Sequence, residues 1–406
     1  MSEYQVLTVL AAFAFFYSLL ASRLEKTPVS GAVIYLFAGL AFGSYGLQLV
    51  ELNVDGEGIR RLAELTLALV LFSDSANADL AVLRRIERVP IRLLLVGLPL
   101  TIAAGFGSGY LIFDELTIFE LALLATMLAP TDAALGQAVV TNKAVPGPVR
   151  ASLNAESGLN DGICVPILLF FLACASGSVD GAPLSLIIRL TSEAIGIGSM
   201  VGVTLAIVGS FSLQRAYAAK WLSGVWVQIP VVAMAMCCFG LSQWLGGSGF
   251  ISSFVGGLVF GGLTKKHQVK TEVLNGAEGV GNVMSMLTWF AFGAVVFGQA
   301  LQQVSWQTIL YAVLSLTVVR IVPVLLCLSG VAFSGDTKLF VAWFGPRGLA
   351  SIVFIVLVIG EEIPGATQLT DVVTWTVALS IVAHGLSALP LTKLYTRRLA
   401  ARNQRL

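Results

Sequence analysis

Residues 156–162 read ESGLNDG and lie inside a stretch apolar enough to cross a membrane, yet they carry Glu156, Asn160 and Asp161. On a helix Glu156 and Asn160 are four apart, as are Ser157 and Asp161, which makes two adjacent columns on one face. Ser157, Asn160 and Asp161 thus offer oxygens in a shared direction. Gly158 and Gly162 follow Ser157 and Asp161 and let a neighbouring helix come close. Oxygen ligands at this density suit a hard monovalent cation or a proton, and no Cys and His set of metal-ligand spacing accompanies them for a transition metal.

Four more charges fall inside apolar segments: Asp74, Asp132, Arg320 and Arg347. Counting ~1.5 Å per residue, Arg320 lies ~21 Å and Arg347 ~14 Å into their segments. The same arithmetic brings Asp74, Asp132, Glu156 and Asp161 within several Å of the middle of a core about 30 Å thick. Six ionisable side chains at one depth must face one another or a polar cavity, which makes them functional candidates; ion pairs that merely fix helix packing are the alternative. Two of the charges adjoin helix breakers. In LAPTDAALG, Pro130 removes a backbone donor and disfavours helix at Ala129; in FGPRGLAS, Pro346 is flanked by Gly345 and Gly348. Both segments are expected to unwind mid-membrane, and paired broken helices of opposite direction point to a transporter site. Asp132 is then expected to compensate the positive end of one half-helix and Arg347 the negative end of the other. Ordinary proline kinks, each with a stabilising charge, are the structural alternative.

The elements that hold these residues must be membrane-spanning helices. Of 406 residues, 57% are hydrophobic and 12% charged, against about 25% charged in soluble domains; mean hydropathy is +0.88. Cut at its polar breaks, the chain gives apolar segments near 5–22, 29–50, 60–77, 90–113, 118–140, 151–176, 185–212, 222–246, 248–264, 280–303, 306–333, 338–360 and 371–395. That predicts an all-α integral membrane protein of about thirteen helices of roughly 20 residues. The first segment, Val6 to Ala21, has no preceding basic residue and no cleavage site and reads as a retained helix. With the N-terminus outside, alternation puts Arg23, Lys26, Arg84, Arg85, Arg88, Arg92, Lys143, Arg150, Arg215, Lys220, Lys265, Lys266, Lys270 and Lys338 inside, with Lys393, Arg397, Arg398, Arg402 and Arg405. Only Arg60, Arg61 and Arg189 fall outside, which predicts a cytoplasmic C-terminus. Breaks in the fifth and twelfth helices fit two inverted six-helix repeats joined by the seventh. The chain ends soon after its last apolar segment, so no soluble regulatory domain is expected. Net charge of +1 suggests no nucleic-acid partner. The five cysteines lie in apolar runs and read as buried thiols.

These motifs resemble the NhaP-like and sodium/proton exchanger branch of the monovalent cation:proton antiporter superfamily. PTDAAL is similar to that family's unwound fifth helix, ESGLND to its ion-binding sixth, VVRIVP to its arginine helix and GPRG to its second unwound helix. The resemblance implies one transmembrane unit over 1–406, with a mobile core of helices at about 90–176 and 306–395 and a dimerising scaffold at about 5–77 and 185–303. It implies that Asp161 binds cation or proton, that Ser157, Asn160 and Thr131 shape the site, and that Asp74 faces it from the scaffold. Pro130, Asp132, Pro346 and Arg347 build the crossing, and Glu156 with Arg320 forms a buried structural pair. Two positions depart from the pattern: Ala133 stands where the family commonly has proline, and GPRG replaces a more usual Gly-Gly-x-Arg-Gly. The implied partners are the bilayer, monovalent cations, protons and a second copy in the plasma membrane. No cofactor is implied, because the cation and proton are substrates.

The expected function is a secondary antiporter, probing sodium first and potassium as the alternative, with uncharged Asn160 beside a single titratable Asp161 predicting one-for-one exchange. A cation channel and an organic-anion symporter use different requirements: a continuous polar pore, or free positive charge at the crossing. An intramembrane enzyme is disfavoured by the lack of Gly-x-Ser-x-Gly with a partner His and of His-Glu-x-x-His. His384, alone in the last segment, reads as a packed or cavity-lining residue, with pH sensing as the alternative.

Overall fold

The computed structural model describes residues 3–24, 27, 29–50, 57–78, 89–132, 135–180, 183–264, 267–361 and 363–403. Expectations on Lys26, Arg84, Arg85, Arg88, Ala133, Lys265, Lys266 and Arg405 lie outside the described residues. No strand occurs among the described residues, and eight helices there are long and apolar enough to cross a membrane.

In chain order the helices are α1 (Glu3–Leu24), α2 (Gly31–Phe42), α3 (Glu57–Asn77) and α4 (Val89–Ile112). Next come α5 (Ile118–Met127), α6 (Gly147–Asp180), α7 (Leu184–Ala218), α8 (Ile229–Trp244) and α9 (Gly249–Leu263). They are followed by α10 (His267–Phe292), α11 (Trp306–Leu316) and α12 (Val318–Cys327). The last three are α13 (Gly335–Trp343), α14 (Leu349–Ile359) and α15 (Ala366–Asn403).

Local chemistry sets several of these boundaries. Thr117 and Glu120 form a reciprocal capping box that starts α5, and Ser248, Ser305 and Ser334 accept backbone N–H groups at the starts of α9, α11 and α13. Gly246, at φ +79°, turns the chain between α8 and α9, a conformation glycine adopts without a Cβ penalty.

Two apolar segments are shorter or more interrupted than their composition suggests. The one near 29–50 stops being helical at Phe42, whose carbonyl accepts both Leu49 N–H and Val50 N–H as the chain folds back. The one near 306–333 is interrupted at Thr317 and ends at Cys327. There the Thr317 hydroxyl bonds back to Val313 O at 2.6 Å, a competition that bends helices. The segments carrying Pro130 and Pro346 break as their sequence predicts: residues 128–132 after α5, and residues 344–348 between α13 and α14, leave the helical pattern.

Burial sorts the helices into layers. α14 buries Leu349 through Ile355 without interruption, and α5 buries Glu120 through Met127; helices apolar on every side belong in an interior. Their side chains join α3 and α15 in one cluster through Leu71, Leu124, Met127, Phe354 and Val373. By contrast α1 turns Leu7, Phe15, Phe16 and Leu19 outward, and Leu111, Met200, Phe211 and Trp244 are exposed on other helices. Such a wide apolar exterior suits hydrocarbon and not water. The two broken helices therefore cross in the protein interior, shielded by longer helices.

Candidate functional site

The two breaks meet through their backbones. Asp132 N–H donates to Pro346 O at 2.8 Å, and the Asp132 carboxylate accepts Leu349 N–H, in the first turn of α14, at 3.0 Å. Arg347 is fully buried and its Nη1 donates to Ala129 O at 3.0 Å and to Pro130 O at 3.2 Å, just beyond the end of α5. A carboxylate thus sits at a helix N-terminus and a guanidinium at a helix C-terminus, each facing the opposite partial charge. Ser351 adds a hydrogen bond to Met127 O at 2.7 Å.

The glycines of GPRG have a steric reason. A methyl group on Gly348 would overlap the Asp132 carboxylate, and one on Gly345 would press on the Arg320 guanidinium. Each glycine therefore makes room for one of the buried charges.

Helix α6 lies against this crossing. Ser157 Oγ donates to Thr131 O at 2.6 Å, and Asn160 Nδ2 donates to Thr131 Oγ1 at 2.7 Å, so two side chains three residues apart hold the unwound stretch after α5. Asn160 Oδ1 and Asp161 Oδ1 are buried and have no hydrogen-bond partner within the protein. Unpartnered buried oxygens are rare and call for an explanation. Thr131, Asp132, Ser157 and Pro346 also line a cavity of about 10 Å³, the size of one water.

Two small residues bring other helices to α6. A methyl group on Gly158 would lie 3.6 Å from Asp74 Cβ, so α3 passes one turn before Asp161. A methyl group on Gly162 would overlap the ring of Phe254 on α9. On the face of α6 that carries Gly158 and Gly162, α3 and α9 therefore pack one turn before Asp161 and directly after it.

Glu156, one turn before Asn160 on α6, has a different partner. Both its oxygens receive Arg320, Nη1 to Oε1 at 2.5 Å and Nη2 to Oε2 at 2.9 Å, with both side chains under 5% exposed. This fork-to-fork geometry is the strongest arrangement for the pair. Of the residues singled out by sequence, Thr131, Ser157, Asn160 and Asp161 form one group. Pro130, Asp132, Pro346 and Arg347 form a second around the crossing, Glu156 and Arg320 a third, and Asp74 approaches the first from α3.

Sequence reasoning overlooks Ser351, Phe254 and the buried acid Glu120. Glu64 is held by Arg60 at 3.0 Å and Arg61 at 3.1 Å, and Glu120 caps α5 while accepting Gly365 N–H at 2.7 Å. Both acids have a local sequence signature, Glu64 in its spacing of four and three residues from Arg60 and Arg61, and Glu120 in its capping box with Thr117.

The family model of the transmembrane sodium/hydrogen exchangers matches residues 10–394. The K(+)/H(+) antiporter NhaP2 of Shewanella sp. (strain MR-4) is 25% identical over 380 residues, covering 93% of this chain; the chain spans 64% of that relative's length. The Na(+)/H(+) antiporter of Schizosaccharomyces pombe is 24% identical over 402 residues, covering 89% of this chain and 84% of its own. Among solved structures, the sodium proton antiporter MjNhaP1 from Methanocaldococcus jannaschii at pH 8 superposes with a TM-score of 0.77 at 20% identity, covering 95% of this chain and 100% of its own. With the all-helical fold, the broken crossing and this match along almost its full length, the chain belongs to the transmembrane sodium/hydrogen exchanger family.

Proposed function

We propose that this multi-pass membrane protein is a secondary antiporter that exchanges a monovalent cation, sodium first, for a proton, and that Asp161 binds the two in competition. The observation that carries the reading is the pair of buried oxygens without protein partners, Asn160 Oδ1 and Asp161 Oδ1, beside the unwound backbone at Thr131. They are hard oxygen donors of the kind that suit an alkali cation.

The mechanism follows from the cost of a bare carboxylate in a low-dielectric interior. Either a proton or a cation removes that cost, so binding one expels the other. If only the neutralised carboxylate crosses the apolar barrier, empty transit is suppressed and flux of one ion requires counterflux of the other. Ser157 and Asn160 fix the Thr131 stretch and so hold the donor geometry; Asp74 supplies a second carboxylate near the path. Asp132 and Arg347 stabilise the crossing electrostatically, and Glu156 with Arg320 braces α6 against α12 without carrying substrate.

In this reading the helices at about 90–176 and 306–395 move as a core against a scaffold at about 5–77 and 185–303, and the scaffold pairs two copies. The termini lie outside (N) and in the cytoplasm (C), and the membrane is the plasma membrane. Potassium is the second reading, favoured by the name of the Shewanella relatives.

The test is proton-driven fluorescence dequenching in everted vesicles, with sodium, lithium and potassium chloride added in turn. Dequenching by sodium supports the reading, and a larger response to potassium selects the second. No response to any monovalent cation overturns it.

A further inference from the structure

The second break removes one helical hydrogen bond in particular. In an unbroken helix Arg347 N–H would donate to Trp343 O, four residues back. Here the two groups are taken by separate partners on α15. Arg347 N–H donates to Ser380 Oγ at 2.7 Å, and His384 Nε2 lies 3.0 Å from Trp343 O. Trp343 O also accepts Gly345 N–H at 2.8 Å. Ser380 and His384 are four apart on one helix, so their reach matches the four-residue gap they replace.

The chemistry of the imidazole fits this position in either charge state. Nε2 faces a carbonyl, so it carries the hydrogen. In the neutral ring Nδ1 accepts the Ser380 hydroxyl at 3.2 Å; in the cation it donates to Ser380 O at 2.9 Å. The bond to Trp343 O persists in both. His384 is 2% exposed, its ring lies 5.1 Å from that of Trp343, and Trp343 Nε1 donates to Ser387 Oγ at 3.0 Å, one further turn along α15.

We infer that Ser380 and His384 are positioning residues for transport: together they stand in for both halves of the missing helical bond, keep residues 344–348 unwound and so aim Arg347 at Ala129 O and Pro130 O. The transport part rests on the exchange reading above; the backbone part stands without it.

Two measurements on the purified full-length protein test it: sodium-dependent exchange after reconstitution into liposomes, and amide deuterium uptake over residues 343–349. His384→Ala and Ser380→Ala are each expected to lower maximal exchange at least tenfold, with the apparent KM for sodium within threefold of wild type, and to speed deuterium uptake at least fivefold. His384→Gln, which keeps a donor near the Nε2 position, is expected within threefold of wild type in both. In Ser380→Ala/His384→Ala the released Arg347 N–H and Trp343 O can pair with each other. Uptake should therefore fall back toward wild type while exchange stays lost. Wild-type exchange in His384→Ala, unchanged uptake in both single variants, recovery of exchange in the double variant, or His384→Gln as defective as His384→Ala would each overturn the inference. If the wild-type protein exchanges no cation, the proposed function fails, and the uptake comparison alone still decides whether the pair holds the break open.

Discussion

Replacing Arg320 by alanine isolates the role of the buried pair with Glu156. Both hydrogen bonds of the fork are lost, and Glu156, at 3% exposure, is left as an uncompensated carboxylate. Stranding one member of a buried pair costs roughly 3 to 5 kcal/mol. At about 1.4 kcal/mol per tenfold, that lowers the folded-to-unfolded ratio by between two and nearly four orders of magnitude. Glu156→Ala should cost at least as much, because it leaves the Arg320 guanidinium, packed on Gly345, in the same interior as fully buried Arg347. Replacing both Glu156 and Arg320 with leucine should recover most of the loss, since the desolvation penalty disappears with the charges. The assay is thermal unfolding of the detergent-solubilised protein, followed by monodispersity on size exclusion, for the two single variants and the double. An Arg320→Ala protein that unfolds with the wild type and loses only cation affinity would refute the bracing role.

Gly162→Ala should both lower stability and abolish exchange, because the added methyl overlaps the Phe254 ring; adding Phe254→Ala should restore the melting transition. Asp132→Ala strands Leu349 N–H at the start of α14 and should cost about 1–3 kcal/mol, whereas Asp132→Asn, which still offers an acceptor, should cost less in the same melt. Asp161→Glu should retain part of the exchange activity with a shifted apparent KM, since the charge persists while the oxygens move. Exchange should not respond to a potassium-valinomycin potential at fixed pH gradient, because one cation for one proton moves no net charge, whereas each net charge would contribute about 2.3 kcal/mol per 100 mV; a current sustained through turnover would contradict one-for-one coupling.

The part of this architecture readable from sequence is the part written in local contrasts. A carboxylate or guanidinium in an apolar run, as at Asp161 or Arg347, and a proline beside glycines, as at Pro346, are conspicuous because hydrocarbon tolerates neither charge nor open backbone cheaply. The helix face shared by Ser157, Asn160 and Asp161 is likewise fixed by spacing alone. What those side chains bond to is not, because the partners are remote in the chain: Thr131 for Ser157, Ala129 for Arg347, Trp343 for His384. Ser380 looks like any small polar residue in a membrane helix until the orphaned amide of Arg347 is beside it. Phe254 carries no signal at all, since an aromatic in an apolar segment is the ordinary case and its contact with Gly162 depends on how α9 crosses α6. The early end of α2 and the interruption at Thr317 were hidden for a similar reason: composition stays apolar while the backbone hydrogen bonds change partners.

The central claim is that the Asp161 carboxylate is the group for which cation and proton compete. It is tested most directly by measuring sodium-driven proton flux in liposomes containing the wild-type protein or Asp161→Asn, matched for amount and for melting temperature. The amide keeps the shape of the side chain but carries neither the transported proton nor the charge that holds the cation. The account predicts flux for the wild type and none above empty liposomes for Asp161→Asn in a folded protein. Sodium-driven flux persisting in Asp161→Asn would contradict it.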